Sequence, residues 1–235
     1  MDRIEDIIKI LPIEELEYVK KYFGNAPQWL LDSLHVVNIK GNQVFVEEGF
    51  DADSVFFLLK GKVSAIDRRV LEMVYKHYEF NPIEIFGAME CTSGMEKYLT
   101  TLMTEEESVF LKINRKVYEK WLEEDNMAFR MQAKRTEEFL LKQVRRERLN
   151  VLLGGLDRVK LMMCELYEGC NAKENGTVYL SRRQFVERTG LSERTVTRIL
   201  KELESKEILS RRGWDVVISA EQYQKVRKEL DVRYL

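Results

Sequence analysis

The strongest chemical signal lies between residues 181 and 212, where arginines and hydroxyl side chains recur at helical spacing. Glu193, Arg194, Thr197 and Arg198 fall at i, i+1, i+4 and i+5, so they share one face of a helix. Side chains of this kind can reach base edges in the major groove of DNA. We therefore predict that these four contact bases. A second set of donors is predicted to contact phosphate: Arg182, Ser192, Thr195, Lys201, Arg211 and Arg212.

Two helices joined by a tight turn must position these side chains. Ser181 and Gln184 have the S-x-x-Q spacing of a capping box. Gly190 suits the left-handed residue after a helix end, and Ser192 can cap a second, recognition helix at about 193–206. The opposite face is apolar and should form the shared core: Phe185, Leu191, Val196, Ile199, Leu200 and Leu203.

The helix pair is followed by residues 208–218, which read as strand, turn and strand. A hairpin here would make the module a winged helix-turn-helix, with Arg211 and Arg212 near its tip. Charged residues on an outer helical face are usually only solvated, so a helical hairpin with no ligand is the alternative interpretation. The turn glycine, both caps and the basic face agree in one register, which favours DNA binding.

Composition fits a globular chain of two domains: the 235 residues are 45% hydrophobic and 33% charged. The net charge of −2 is unevenly divided, at about −5 before Gly154 and about +3 from there on, which places the basic excess in the predicted DNA-binding part. No apolar run reaches the ~20 residues of a membrane span. Three cysteines without framework or metal-ligand spacing suit a reducing cytoplasm, and we expect a cytoplasmic protein without a metal site.

The first half of the chain contains two segments that differ in predicted secondary structure. Residues 1–34 read as short helices, and residues 35–113 carry short β-branched and aromatic runs with turn signals between them. Such a pattern is typical of an antiparallel barrel or roll. The candidate strands are residues 44–46, 55–59, 63–66, 71–78 and 109–113.

A long helix at about 127–153 follows the roll. Steps of four and three mark a weak heptad seam, which predicts a homodimer interface, although packing of the helix on its own domain is the alternative. Gly154-Gly155 then breaks the helix. We predict a sensor domain over residues 1–153 and a DNA-binding domain over residues 154–235. The predicted interface residues are Phe129, Ala133, Thr136, Leu140, Gln143 and Glu147.

This order of elements resembles the Crp–Fnr family of bacterial transcription regulators. The segments that carry the resemblance are EGFDADSVFFLLKGKV at 48–63, FGAM at 86–89 and GLSERTVTRIL at 190–200. The resemblance implies an α+β fold: an N-terminal antiparallel β-roll (a cyclic-nucleotide-binding-like jelly roll), a long central dimerisation helix and a C-terminal winged helix-turn-helix. It also implies a dimeric, sequence-specific regulator that binds double-stranded DNA at an inverted repeat and contacts RNA polymerase. One departure is Arg194, which stands where many relatives have a cytosine-reading glutamate.

The resemblance also locates a candidate effector pocket in the roll. Nucleotide-binding relatives hold the cyclic phosphate with a glutamate and an arginine–serine pair, where this chain has Ala88, Tyr98 and Leu99. Burying a phosphate without a cation is costly, so we expect that cAMP is not the effector, and no cofactor is predicted. A neutral or aromatic small molecule, or no effector at all, remains open. The candidate pocket residues are Gly87, Ala88, Met89, Tyr98, Leu99, Thr100, Gln143 and Val144.

Other functions are disfavoured by missing motifs. The sequence has no Walker loop, no G-x-S-x-G and no H-E-x-x-H, so we expect no enzyme. An iron–sulfur sensor would need an N-terminal cysteine cluster, whereas the first cysteine is Cys91. A haem or redox sensor, with His77 or Cys91 as iron ligand, and a dimeric scaffold that does not bind DNA are the remaining alternatives.

Overall fold

The computed structural model describes residues 11, 13–67, 75–169, 177–213 and 215–230. The chain folds into two compact units, of which the first ends at Leu140 and the second begins at Leu141. This division falls within a continuous helix, so the domain boundary at Gly154 stays a prediction.

The first unit contains two four-stranded antiparallel sheets, in the orders β1-β8-β3-β6 and β2-β7-β4-β5. Its strands are β1 (His35–Ile39), β2 (Val44–Val46), β3 (Ser54–Lys60), β4 (Val63–Asp67), β5 (Tyr75–Phe80), β6 (Glu84–Phe86), β7 (Thr101–Thr104) and β8 (Ser108–Asn114). Its helices are α1 (Ile13–Tyr22), α2 (Gln28–Asp32), α3 (Ala88–Thr92), α4 (Arg115–Glu124) and the first part of α5 (Asn126–Leu152).

Strand β3 contributes its two faces to two different hydrophobic clusters. Successive side chains of a strand point to opposite faces. Val55, Phe57 and Leu59 accordingly pack in a cluster with Trp121 of α4, whereas Phe56 and Leu58 pack between the two sheets. This is why the segment reads as a continuous apolar run rather than as an alternating one.

The glycine before α3 occupies a position that no other residue fits well. Gly87 has a φ of +82°, and a Cβ there would lie 2.5 Å from the backbone oxygen of Ser54. Gly49 has the same φ, but a Cβ there would meet no atom within 4 Å. Substitutions at Gly49 and Gly87 therefore distinguish the cost of backbone strain, which both share, from that of steric conflict, which only Gly87 has.

We expect Gly49→Ala to lower the free energy of unfolding by about 1–2 kcal/mol, the cost of left-handed backbone for an L-residue. Gly87→Ala should cost about 1–3 kcal/mol more, because the Ser54 carbonyl must also move. Urea unfolding followed by circular dichroism measures both. Equal losses in the two variants would show that the contact with Ser54 is relieved without cost.

Helix α5 begins at Asn126, one residue before the predicted start at about 127. The carboxylate of Asp125 accepts from the backbone N–H groups of Met127 and Ala128 at 2.9 and 3.1 Å, which caps the helix. The helix ends at Leu152, with only Leu153 between it and Gly154-Gly155, so the predicted interruption at the glycines is confirmed.

The second unit contains a three-stranded antiparallel sheet in the order β10-β11-β9 with helices packed on it. A cluster of buried side chains, among them Phe185, Val196 and Leu203, forms its core. The elements after α5 are α6 (Gly155–Gly169), β9 (Thr177–Ser181), α7 (Arg182–Thr189), α8 (Glu193–Ser205), β10 (Ser210–Arg212), β11 (Asp215–Ser219) and α9 (Ala220–Glu229).

The fold class predicted from the sequence is confirmed: a roll of antiparallel sheets, a long central helix and a winged helix-turn-helix. The candidate strand at 71–78 is observed as Tyr75–Phe80, and residues 71–74 lie outside the described part of the chain. Sequence patterns did not single out β1, β6, β7 or β9. The first three are short or polar strands, and β9 adjoins a polar segment.

Candidate DNA-binding surface and effector cavity

The two helices of the candidate DNA-binding surface have the caps that the sequence predicts. Ser181 accepts from the N–H of Gln184 at 3.3 Å, and the Gln184 side chain accepts from the N–H of Ser181 at 2.8 Å. Gly190 follows the first helix with a φ of +66°. Ser192 caps α8 by accepting from the N–H of Thr195 at 3.3 Å. These contacts fix where each helix begins, and therefore which side chains face outward.

The inner face of α8 is buried as predicted. Val196, Ile199, Leu200 and Leu203 are at most 3% exposed, and Leu191 in the turn packs against the same cluster. Because this face is fixed in the core, the outer face must carry the residues in between. The register of the helix is therefore set by apolar packing and not by the charged residues.

The outer face presents two exposed arginines, Arg194 and Arg198. In the described part of the chain, the side chains of Arg194 and Arg198 are exposed and make no hydrogen bond or ion pair. Glu193 behaves differently, because its Oε1 lies 2.6 Å from a guanidinium nitrogen of Arg182. The Thr197 hydroxyl donates to the backbone oxygen of Glu193 at 2.8 Å.

The predicted phosphate-binding residues lie at the N-terminal ends of α7 and α8, further along α8, and in the wing. The hydroxyls of Ser192 and Thr195 lie 2.9 Å apart, and Lys201 is exposed one turn beyond Thr197. In the wing, Arg211 is paired with Glu204 at 2.9 Å.

The second wing arginine has a partner that was not predicted from the sequence. Arg212 donates to the hydroxyl of Tyr179 on β9 at 3.3 Å. Tyr179 is an exposed aromatic residue between the buried Val178 and Leu180. The alternation of apolar and outward-facing residues in this strand would have predicted its exposed position.

The predicted seam on α5 is only partly apolar at its surface. Phe129 and Leu140 are 45% and 47% exposed, Glu147 is exposed, and Ala133, Thr136 and Gln143 are half-buried. Further apolar side chains on the same helix that the seam does not include are also exposed: Leu141 (69%), Val144 (52%), Val151 (83%) and Leu152 (65%).

The first unit contains a cavity of about 90 Å³. It lies between the roll and one face of α5, and most lining side chains are aromatic or aliphatic. The lining comprises Val46, Phe80, Glu84, Ile85, Phe86, Gly87, Met89, Glu90, Tyr98, Thr100, Leu102, Gln132, Arg135, Thr136 and Phe139.

Half of the predicted pocket residues line this cavity: Gly87, Met89, Tyr98 and Thr100. The others lie elsewhere. Ala88 is fully buried in the neighbouring core cluster, and Leu99 is 47% exposed. Gln143 and Val144 belong to the second unit.

The helical wall of the cavity was not predicted from the sequence. It is formed by Gln132, Arg135, Thr136 and Phe139. Their spacing of i, i+3, i+4 and i+7 is the signal that could have found them, since it places all four on one face of α5.

Arg135 is a cation in the cavity wall, but its charge is already paired with a carboxylate. It bonds to the Glu84 carboxylate at 3.0 Å and to the backbone oxygen of Ile83, and its guanidinium lies 5.2 Å from the Tyr18 ring. The pKa of Arg135 is raised, with burial opposing and Glu84 favouring the charged form. The described lining thus holds two carboxylates, Glu84 and Glu90, for one guanidinium, and offers an anion no excess positive charge.

The structure gives no support to the alternative of a haem or redox sensor that uses Cys91. Burial raises the pKa of the Cys91 thiol to about 12, so the thiolate that would bind iron or react with an oxidant is scarce at neutral pH. The side chain of His77 lies outside the described residues. Among the residues that are described, no three His, Cys, Asp or Glu side chains group as metal ligands. Nor does any helix there have the length and apolarity to cross a membrane.

Comparison with known families and structures agrees with this geometry. Residues 36–125 match the family of cyclic nucleotide-binding domains. The solved structure of the c-di-GMP-responsive global regulator CLP from Xanthomonas campestris superposes with a TM-score of 0.71 at 19% identity, over 83% of this chain and 98% of that one. This chain has the Crp–Fnr fold.

Two further structures support the Crp–Fnr fold. FixK2 from Bradyrhizobium japonicum gives a TM-score of 0.64 at 18% identity, covering 83% of this chain and 96% of that one. A crp/fnr-family regulator from Eubacterium rectale gives 0.71 at 10% identity, with coverages of 88% and 97%. A comparison with curated proteins finds no sequence match. The resemblance to the Crp–Fnr family, inferred from sequence motifs, is therefore confirmed at the level of the fold.

Proposed function

We propose that this protein is a transcription regulator that binds DNA through α8 in the major groove. The observation that carries the proposal is the pair of exposed arginines, Arg194 and Arg198, on a helix fixed by its caps and its buried face. Arginine can bond bidentately to guanine O6 and N7. Arg182, Lys201, Arg211 and Arg212 supply the phosphate contacts on either side.

The regulator acts as a homodimer through α5, on an inverted repeat. Exposed leucine and valine side chains on a charged helix favour burial against a second copy, because apolar area removed from water is stabilising. A two-fold dimer presents two recognition helices, so its half-sites should lie about one helical turn apart. By the family resemblance, the DNA-bound dimer contacts RNA polymerase.

Retention on a DNA-affinity resin distinguishes this function from that of a scaffold that only dimerises. The full-length protein should bind random-sequence DNA at low salt and elute as the salt rises, because its cations release counterions from DNA. A protein that passes through the resin at low salt would contradict the proposal.

The cavity in the roll is the proposed effector site, and its lining favours a small, neutral, mainly apolar molecule. Phe80, Phe86 and Phe139 supply aromatic surface, while Thr100 and Thr136 offer hydroxyls. Such a ligand would touch α5 and the roll at once, and could therefore bias their arrangement.

The charged groups of the cavity are already committed to partners within the protein. Arg135 holds Glu84, and the buried Glu90 accepts from the N–H of Leu99 at 3.2 Å. An anionic ligand would meet two carboxylates and one guanidinium in the described lining, whereas a neutral ligand would leave these contacts in place.

We expect no binding of cAMP. Among the described lining residues Arg135 is the one cation, and Glu84 already offsets its charge, so a cyclic phosphate would be buried without a compensating cation. Isothermal calorimetry with millimolar cAMP should show no heat beyond dilution. A micromolar dissociation constant with a matching gain in DNA affinity would overturn this part of the proposal without touching the DNA-binding part.

A further inference from the structure

An ion pair joins the two helices of the DNA-binding module at their N-terminal ends. Arg182 is the first residue of α7 and Glu193 is the first residue of α8, each directly after a capping serine. The guanidinium of Arg182 lies 2.6 Å from Oε1 of Glu193, and both side chains are open to solvent. The pair thus lies where a helix-turn-helix meets the phosphate backbone.

Stability alone does not explain this pair, because exposed ion pairs contribute little to folding. The helix ends are already held by the two serine caps and by the buried core. The pair does fix the direction of Arg182, a long side chain that would otherwise sample many rotamers. A guanidinium has five N–H donors, so one carboxylate leaves several for a phosphate.

We infer that Glu193 is a positioning residue for Arg182 and does not read a base. This inference rests on the proposed function and changes one part of it, since the sequence alone grouped Glu193 with the base-reading side chains. With Arg182 held by the carboxylate, less conformational entropy is lost when a phosphate binds. The charge of Glu193 is itself offset by Arg182 and by the positive N-terminal end of α8. Sequence preference then rests on Arg194 and Arg198.

A double-mutant cycle tests the inference with the full-length protein. Wild type, Glu193→Gln, Arg182→Ala and the double variant are titrated with a duplex carrying the sites selected from random DNA, and with a scrambled duplex of the same composition. Glu221→Gln is the matched control, because Glu221 is also an exposed glutamate in the first turn of a helix, paired with Lys225 at 3.3 Å. Thermal melting verifies that all variants fold.

We expect Glu193→Gln to weaken binding to both duplexes alike by about 3- to 5-fold, the scale of an exposed ion pair. Arg182→Ala should weaken binding to both duplexes further and lower the slope of log K against log salt by about 0.9. In the Arg182→Ala background, Glu193→Gln should change nothing, and the selected bases should stay those of the wild type. The control should bind like the wild type.

Three results would overturn the inference alone: a changed base preference in Glu193→Gln, tighter binding by that variant, or an effect that persists without Arg182. A wild-type protein that binds neither duplex would overturn the proposed function as well. The two failures are therefore distinguishable in one set of titrations.

Discussion

Replacing Arg198 with alanine should weaken binding to the specific site by about 1–3 kcal/mol and relax the preference at one base pair in each half-site. Arg198 is exposed on the outer face of α8, and the buried inner face of the same helix fixes its direction. Its loss removes a bidentate contact with a base while the phosphate contacts remain. Titration of the specific and the scrambled duplex measures the difference.

Lys201→Ala is the matched control on the same helix. Lys201 is also exposed and cationic, but we assign it to phosphate. This variant should weaken all duplexes alike and lower the slope of log K against log salt by about 0.9. If Arg198→Ala also weakened specific and scrambled DNA equally, Arg198 would be a phosphate contact and the base-reading assignment would be wrong.

Replacing Leu140 with aspartate should dissociate the proposed dimer. Leu140 is 47% exposed on α5, and dimerisation would bury it against a second copy. An aspartate there would put two unpaired carboxylates into a desolvated seam, at a cost of several kcal/mol. Sedimentation equilibrium at micromolar concentration should give the monomer mass, and DNA affinity should fall because one recognition helix is lost.

Lys142→Asp introduces the same carboxylate two residues away, on a different face of α5. Lys142 is exposed, and this variant should remain dimeric. An unchanged dimer in Leu140→Asp would move the interface away from the predicted seam. The exposed side chains of Leu141, Val144 and Val151 would then be the next residues to test.

The winged helix-turn-helix was predicted closely from the sequence because its signals are local. A capping serine, a left-handed glycine and the apolar spacing of Val196, Ile199 and Leu203 each constrain neighbouring residues only. The same holds for the end of α5 before Gly154. Local rules of this kind need no knowledge of distant strands.

The cavity in the roll was predicted less well, because its walls come together only through long-range pairing. Arg135 reaches Glu84 across 51 positions of the chain, and Tyr98 is bonded to Ser54 across 44. Motif positions located Gly87 and Tyr98, but they could not show that Ala88 is buried in the core or that a helical arginine lines the site. Sequence periodicity likewise cannot predict which charged residues form ion pairs, such as Arg182 with Glu193.

Selection from random double-stranded DNA with the purified full-length protein tests the DNA-binding function most directly. We expect enrichment of an inverted repeat whose half-sites are centred about 10 base pairs apart, with a guanine in each half-site whose preference disappears in Arg198→Ala. Recovery of sequences with no shared motif, at salt concentrations where the protein is folded and dimeric, would contradict the assignment of α8 as a recognition helix.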